Sequence, residues 1–240
     1  MSRSMTRLAQ VASLTDTGRR RRHNEDAYVC EPPLFAVADG MGGAQAGELA
    51  SNLAAAALRD EGSRGGGEER VDELIQEANR RVYERQTQDS SATGMGTTMT
   101  VALVEDGHVG DSRAYLIRDR RLEQLTEDHS LVAELVRSGK LSPEEAEGHP
   151  QRSVITRALG TDPDVDVDTF SVETKPGDLF LLCSDGLTAM VDDETILREV
   201  ERNREDLTAA SKALVKAANK GGGDDNITVV VGLVANQPQT

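Results

Sequence analysis

Leu34-Phe35-Ala36-Val37-Ala38-Asp39-Gly40-Met41-Gly42-Gly43 is the stretch on which the reading of this chain turns. A short apolar run, of the length expected for a buried strand, meets an aspartate and then a glycine-rich turn. An alanine-rich amphipathic helix follows from about Glu48, with Leu49, Leu53 and Ala57 on one face. A carboxylate at the mouth of a buried strand is costly unless it faces a cation. Glycine beside it lets backbone carbonyls approach whatever is bound. Asp39 is therefore read as the hub of a metal site.

Outward from that stretch the chain reads as groups of strands and groups of amphipathic helices. Leu8–Leu14 and a short segment through Val29 read as strands, separated by Thr15-Asp16-Thr17-Gly18 and the run Arg19–Arg22. A second helix carries Val71, Leu74, Ile75, Ala78 and Val82 on one stripe. Thr97–Val104, Val109–Ile117 and Leu122–Leu125 form a meander of hairpins, which implies antiparallel sheet. Asp128 or Ser130 caps a helix through Val136, and Ser142-Pro143-Glu144-Glu145 starts another. Val165, Val167 and Thr169 alternate with Asp166 and Asp168, the pattern of a half-exposed strand. Leu179–Cys183 then repeats the opening motif, an apolar strand ending in Ser184-Asp185-Gly186. Two helices, Asp193–Arg202 and Leu207–Ala218, precede a last strand, Ile227–Val234. Antiparallel strands with helices gathered at two places imply helix-over-sheet layers rather than βαβ alternation.

The bulk composition narrows the function classes. At 240 residues the chain has length for one substantial core. With three Phe, three Tyr and no Trp, that core must be built from Val, Leu, Ile and Ala. A formal net charge of −15 disfavours nucleic acid and anionic membrane as partners. No apolar run approaches the ~18 residues of a spanning helix, and the N-terminus has no apolar signal core. Cys30 and Cys183 show no metal spacing and read as buried free thiols of a reducing compartment. The expectation is a soluble, cytoplasmic protein.

Asp39, Asp111, Asp185 and Asp225 all stand where strands meet glycine turns. One such aspartate is ordinary turn chemistry. Four, if the strands align, would repel strongly unless a hard divalent cation neutralised them. Oxygen-only donors point to Mg²⁺ or Mn²⁺ rather than Zn²⁺. A dinucleotide fingerprint fails because Gln45 stands where a third glycine is needed. A P-loop fails for want of Gly-Lys-Ser/Thr, and Asp39-Gly40-Met41 lacks the Asp-x-Asp of aspartyl phosphatases.

The motifs then run nearly end to end in a known order: Gly18-x-x-Arg21-x-x-Asn24-Glu25-Asp26, Ala38-Asp39-Gly40-Met41-Gly42-Gly43, Gly94-Met95-Gly96-Thr97-Thr98, Val109-Gly110-Asp111-Ser112-Arg113, Leu125-Thr126-x-Asp128-His129-Ser130, Ile155-Thr156-Arg157-Ala158-Leu159-Gly160, Cys183-Ser184-Asp185-Gly186 and Asp225-Asn226-Ile227-Thr228. In them the chain resembles the metal-dependent protein phosphatases of type 2C, in their compact bacterial form. The resemblance implies an α+β fold, a four-layer α-β-β-α sandwich of two antiparallel sheets, in one catalytic domain over residues 1–240 with a flap at about 132–153. It implies serine/threonine phosphoester hydrolysis by metal-activated water, with two Mn²⁺ or Mg²⁺ per site and a third, weaker one. Asp39 would bridge the pair, the Gly40 carbonyl would bind the second cation, and Asp185 and Asp225 would hold the first. Glu25 would act on the second through water, supported by Asp26, while Asp111 would hold the third. Arg21 would grip the substrate phosphate.

The implied partners are phosphorylated proteins and a serine/threonine kinase acting on the same targets, with the phosphatase itself a monomer. Two departures stand out. Met41 replaces the histidine that animal members use as leaving-group acid, which leaves metal-polarised water or His23 for that task. Between Val104 and Val109 about half a dozen residues of the family pattern are absent, which bears on Asp111. An impaired phosphatase-fold binding or regulatory module is the alternative reading. His129 reads as structural and His149 as exposed.

Overall fold

The computed structural model describes residues 6–62, 67–104, 114–151 and 154–236. Its first sheet takes the order β1-β9-β8-β6-β7, from β1 (Thr6–Asp16), β6 (Ala114–Arg118), β7 (Arg121–Gln124), β8 (Leu179–Cys183) and β9 (Ile227–Asn236). The second centres on β3 (Leu34–Met41), with β2 (Asp26–Glu31) on one side and β4 (Gly96–Thr97) and β5 (Thr100–Leu103) on the other. Among the described residues every strand pairing is antiparallel. Helices α1 (Ala44–Glu61) and α2 (Gly67–Gln88) cover the second sheet, and α6 (Asp193–Arg202) and α7 (Leu207–Gly221) cover the first. This is the expected four-layer α-β-β-α sandwich.

Strand alternation divides the core into three slabs. On β3, Leu34, Ala36 and Ala38 face α1 and α2, while Phe35 and Val37 face the other sheet. On β8, Leu179, Leu181 and Cys183 face the α6–α7 layer, and Phe180 and Leu182 look inward. On β9, Val229 and Val231 face the helices and Val230 the inter-sheet space. The same parity carried one step further puts Asp39, Ser184 and Thr228 at the end of that space.

Several boundaries differ from expectation for identifiable reasons. Helix α1 starts at Ala44 rather than near Glu48, because Gly42 and Gly43 take φ of 116° and 93° and turn the chain directly into it. The strand expected over Thr97–Val104 is split into β4 and β5: Thr98 N–H and Thr97 Oγ1 both bond the Asp39 carbonyl, at 2.9 and 2.8 Å, instead of continuing a ladder. Val165, Val167 and Thr169 form no strand. Gln76 Nε2 takes the Val165 carbonyl at 2.8 Å, and Val165 and Val167 pack onto the α1–α2 core. A four-residue helix not foreseen, α5 (Asp185–Thr188), starts at Asp185-Gly186.

The excursion expected as a flap holds α3 (Leu131–Arg137), capped by Ser130, and α4 (Pro143–Glu147), opened by a capping box from Ser142 and Glu145. Its base is pinned by an antiparallel bridge between Ser130 and Ile155 and by His129, whose Nε2 lies 2.6 Å from Asp168. His149 is half-buried rather than exposed, its Nδ1 accepting from Gln151 N–H. Asp111, and the shortened connection before it, lie outside the described residues.

Candidate metal centre

Two sheets and three loops meet at one end of the sandwich. Asp26 on β2 and Asp39 on β3 are direct cross-strand partners. Asp185 opens α5 two residues after the end of β8, and Asp225 lies two residues before the start of β9, the neighbour of β8. The carboxylates of Asp26, Asp39, Asp185 and Asp225 are close enough to act on one another's protons. Burial, then repulsion from Asp26, Asp185 and Asp225, and then a hydrogen bond to Asp185, hold the Asp39 carboxyl well above the usual carboxylate range. Burial also raises Asp26 to about 6, with Asp185 and Asp225 adding to it, against the opposing pull of two hydroxyl donors.

Those donors are Thr228 Oγ1 at 2.6 Å and Ser184 Oγ at 2.8 Å, both on Asp26 Oδ2. Asp26 Oδ1 is buried with no hydrogen-bond partner, an orphaned lone-pair site. Glu25 is buried beside it, 8% exposed. Its Oε2 lies where a Cβ on Gly47 would come to 2.1 Å, and a Cβ on Gly40 would meet the Gly47 carbonyl oxygen at 2.1 Å. Glycine at both positions is what lets the Glu25 side chain and the Gly40 backbone share this corner.

Arg21 enters from the β1–β2 loop. Its Nη2 lies 2.7 Å from Asp225 Oδ2 and its Nη1 3.9 Å from Glu25 Oε1. Burial, which alone would lower its pKa, is outweighed by Asp225, Glu25 and Asp39, so the net shift is upward. The arginine run is thereby sorted: Arg20 pairs with Asp224 at 3.6 Å, and only Arg21 reaches the acids of the site.

Asn226, to which its motif assigns no role, holds much of the site together through its hydrogen bonds. Its Oδ1 accepts from Glu25 N–H at 2.8 Å, and its Nδ2 donates to the Thr17 and His23 carbonyls, each at 2.9 Å. One side chain thus ties the arginine loop, Glu25 and the Asp225 turn. Thr15, Asn24, Ser184 and Thr228 complete the network. Their only sequence signal is adjacency to the acidic motifs.

The donor set fits a hard divalent cation: carboxylate and carbonyl oxygens, one buried oxygen unpartnered, and two carboxyls hydrogen-bonded to each other. Among the described residues, no three His, Cys, Asp or Glu side chains are already closed into an ion cage. The acids are gathered at the mouth, with Arg21 as the cation that Asp225 faces. Expected ligands Asp39, Gly40, Glu25, Asp26, Asp185 and Asp225 are brought together, Arg21 joins them, and Asp111 falls outside the described residues.

A four-layer sandwich with this acidic mouth is the architecture of the metal-dependent protein phosphatases that the motifs resemble. The protein phosphatase 2C family model matches residues 18–220, and the chain belongs to that family. It is 42% identical over 234 residues to the serine/threonine phosphatase stp of Listeria monocytogenes serotype 4b (strain F2365), covering 90% of this chain and 92% of that protein. It is 41% identical to the serine/threonine protein phosphatase PstP of Mycobacterium tuberculosis (strain H37Rv), covering 95% of this chain and 45% of that longer protein. The crystal structure of the Mycobacterium tuberculosis phosphatase superposes with a TM-score of 0.88 at 39% identity, over 95% of this chain and 99% of that one. The catalytic domain of PstP in complex with two manganese ions superposes at 0.86 with 37% identity, over 95% and 98% of the two chains.

Proposed function

We propose that this chain hydrolyses phosphoserine and phosphothreonine monoesters of proteins, with two divalent cations, Mn²⁺ or Mg²⁺, held by Asp39, the Gly40 carbonyl, Asp185, Asp225 and, through water, Glu25. The observation that carries the reading is the gathering of acids from both sheets at one mouth, where burial and mutual repulsion push Asp39 and Asp26 up. Bound there, such cations lower the pKa of water toward neutrality and offset charge on phosphoryl oxygens. Asp39, at the end of the inter-sheet space, would hold the cations, its carboxylate supplying negative charge where burial and the other acids disfavour it. Asp26, anchored by Thr228 and Ser184, supports Glu25. Arg21 presents paired donors to the phosphate oxygens, a geometry that lysine cannot match. Met41 has no proton to give, so the leaving alkoxide takes its proton from water rather than from that position.

The third, weaker cation at Asp111, the flap at 132–153, the single domain over 1–240, a monomeric state, a cytoplasmic location and a kinase counterpart belong to the same proposal. Among the described residues no helix is long and apolar enough to cross a membrane. Nothing favours the impaired-module alternative, since Asp39, Asp185, Asp225 and Arg21 are all in place. The test is hydrolysis of p-nitrophenyl phosphate and of a phosphothreonine peptide with Mn²⁺. Turnover is expected, abolished by chelator. Absence of turnover in excess Mn²⁺, or full activity with chelator present, would defeat the reading.

A further inference from the structure

The metal centre uses Arg21, and Arg20 is paired beside it, but a second group of cations stands apart. Helix α7 sets Lys212, Lys216 and Lys220 on one exposed stripe, a turn apart. With Arg19 from the β1–β2 loop they line an open-sided cavity of about 400 Å³, floored by Leu14 and Val215. They are three of the five lysines in a chain of formal net charge −15. Helix α7 carries no acidic residue.

Many of the arginines elsewhere are paired with acidic neighbours. On α2, Arg80, Arg81 and Arg85 each meet Glu77, Glu84, Asp60 or Asp89 within 2.9 Å. Among the described residues no ion pair engages Lys212, Lys216, Lys220 or Arg19. The one carboxylate in the groove, Asp16, is already engaged: its Oδ1 accepts from Gly18 N–H at 2.9 Å and from Asn219 Nδ2 at 3.1 Å. The groove also abuts the metal centre. Arg19 and Arg20 N–H donate to the Gly223 carbonyl at 2.7 and 3.2 Å, two residues before Asp225.

Spacing selects the ligand. Lysines four apart on a helix are separated by about 6 Å along its axis, and alternate residues of an extended chain by about 6.6 Å. Carboxylates at every second position of an extended peptide therefore fall in register with the three ammoniums. The charges lie along a line rather than converging on one point, and lysine lacks the planar fork that matches a phosphate. We propose that this groove docks an extended, Asp/Glu-rich stretch of the protein substrate, with acids at alternate positions, and so favours phosphoproteins that carry such a stretch near the phosphorylated residue. The proposal rests on the phosphatase reading above.

Phosphothreonine peptides test it. One carries three Asp at alternate positions, one the same Asp consecutively, and one Asn in their place, each made with the stretch on either side of the phosphothreonine. In low salt with Mn²⁺, the better-placed alternate-Asp peptide should show a KM about tenfold below its Asn counterpart, with the consecutive-Asp peptide between them. At ~0.5 M salt the advantage should vanish. The K212Q/K216Q/K220Q variant should cut the preference to under about twofold, with turnover of p-nitrophenyl phosphate unchanged. Equal KM for all three peptides in the wild-type enzyme overturns the proposal without recourse to any variant, as does a triple variant that keeps the preference. Failure of p-nitrophenyl phosphate turnover in the wild type would instead sink the phosphatase reading, and this one with it.

Discussion

The inter-sheet space has two ends built on the same strands. At one end β3, β8 and β9 contribute Phe35, Val37, Phe180, Leu182 and Val230, all buried. At the other, the same alternation delivers Asp39, Ser184 and Thr228, joined by Asp26, Asp185 and Asp225. The apolar end supplies cohesion. The acidic end opposes it, because like charges are held together where burial already disfavours ionisation. The difference teaches that position along a strand, not strand identity, separates structure from chemistry in this fold.

Substitutions at the two ends should therefore act in opposite directions. Phe180→Ala is expected to cost about 3–5 kcal/mol, as a large side chain lost from a packed core. Denaturant unfolding reads the loss, with Mn²⁺ affinity of the remaining folded protein little changed. Asp39→Asn is expected to do the reverse. Stability in chelator should rise by about 1–3 kcal/mol as repulsion is relieved, while turnover with Mn²⁺ falls by about 10³-fold or more. A destabilised Asp39→Asn protein that still turns over would erase the distinction between the ends.

A smaller effect follows from pH. The folded-state pKa of Asp26, about 6, lies above its unfolded value near 3.8. Between those values the native state binds more protons than the unfolded one, so stability in chelator should fall as pH rises from about 4 to 6. The contribution is of the order of 2–3 kcal/mol, and Asp39 adds in the same direction. Subtracting the stability profile of Asp26→Asn from that of the wild type isolates it. A difference that stays flat across this window would mean that Asp26 is ionised throughout.

Much of this comparison was legible in the sequence. Apolar runs ending at Asp39 and Asp185, and the stripes of α2 and α7, announced the layers because burial periodicity is local. The meeting of the acids was not local. It depends on β9 pairing with β8 and on the second sheet lying over the first, which no strand announces alone, and motif order supplied that link. Val165 to Thr169 misled because alternation records which side chains face inward, whereas a strand also needs a free edge to pair with. Here Gln76 takes the carbonyl that a neighbouring strand would have bonded. Asn226 went unassigned since nothing in its own letters tells that the arginine loop, Glu25 and the Asp225 turn are tied together by it.

Acids from both sheets should form one divalent-cation site with Asp39 at its centre. Calorimetric titration with Mn²⁺ near pH 6, repeated in buffers of different ionisation enthalpy, tests it most directly. Two ions should bind per chain at the principal site, with protons released on binding because Asp39 and Asp26 are held above their usual range, and both features should be lost in Asp39→Asn. No Mn²⁺ uptake by the wild type, or uptake and proton release unchanged in Asp39→Asn, would contradict it.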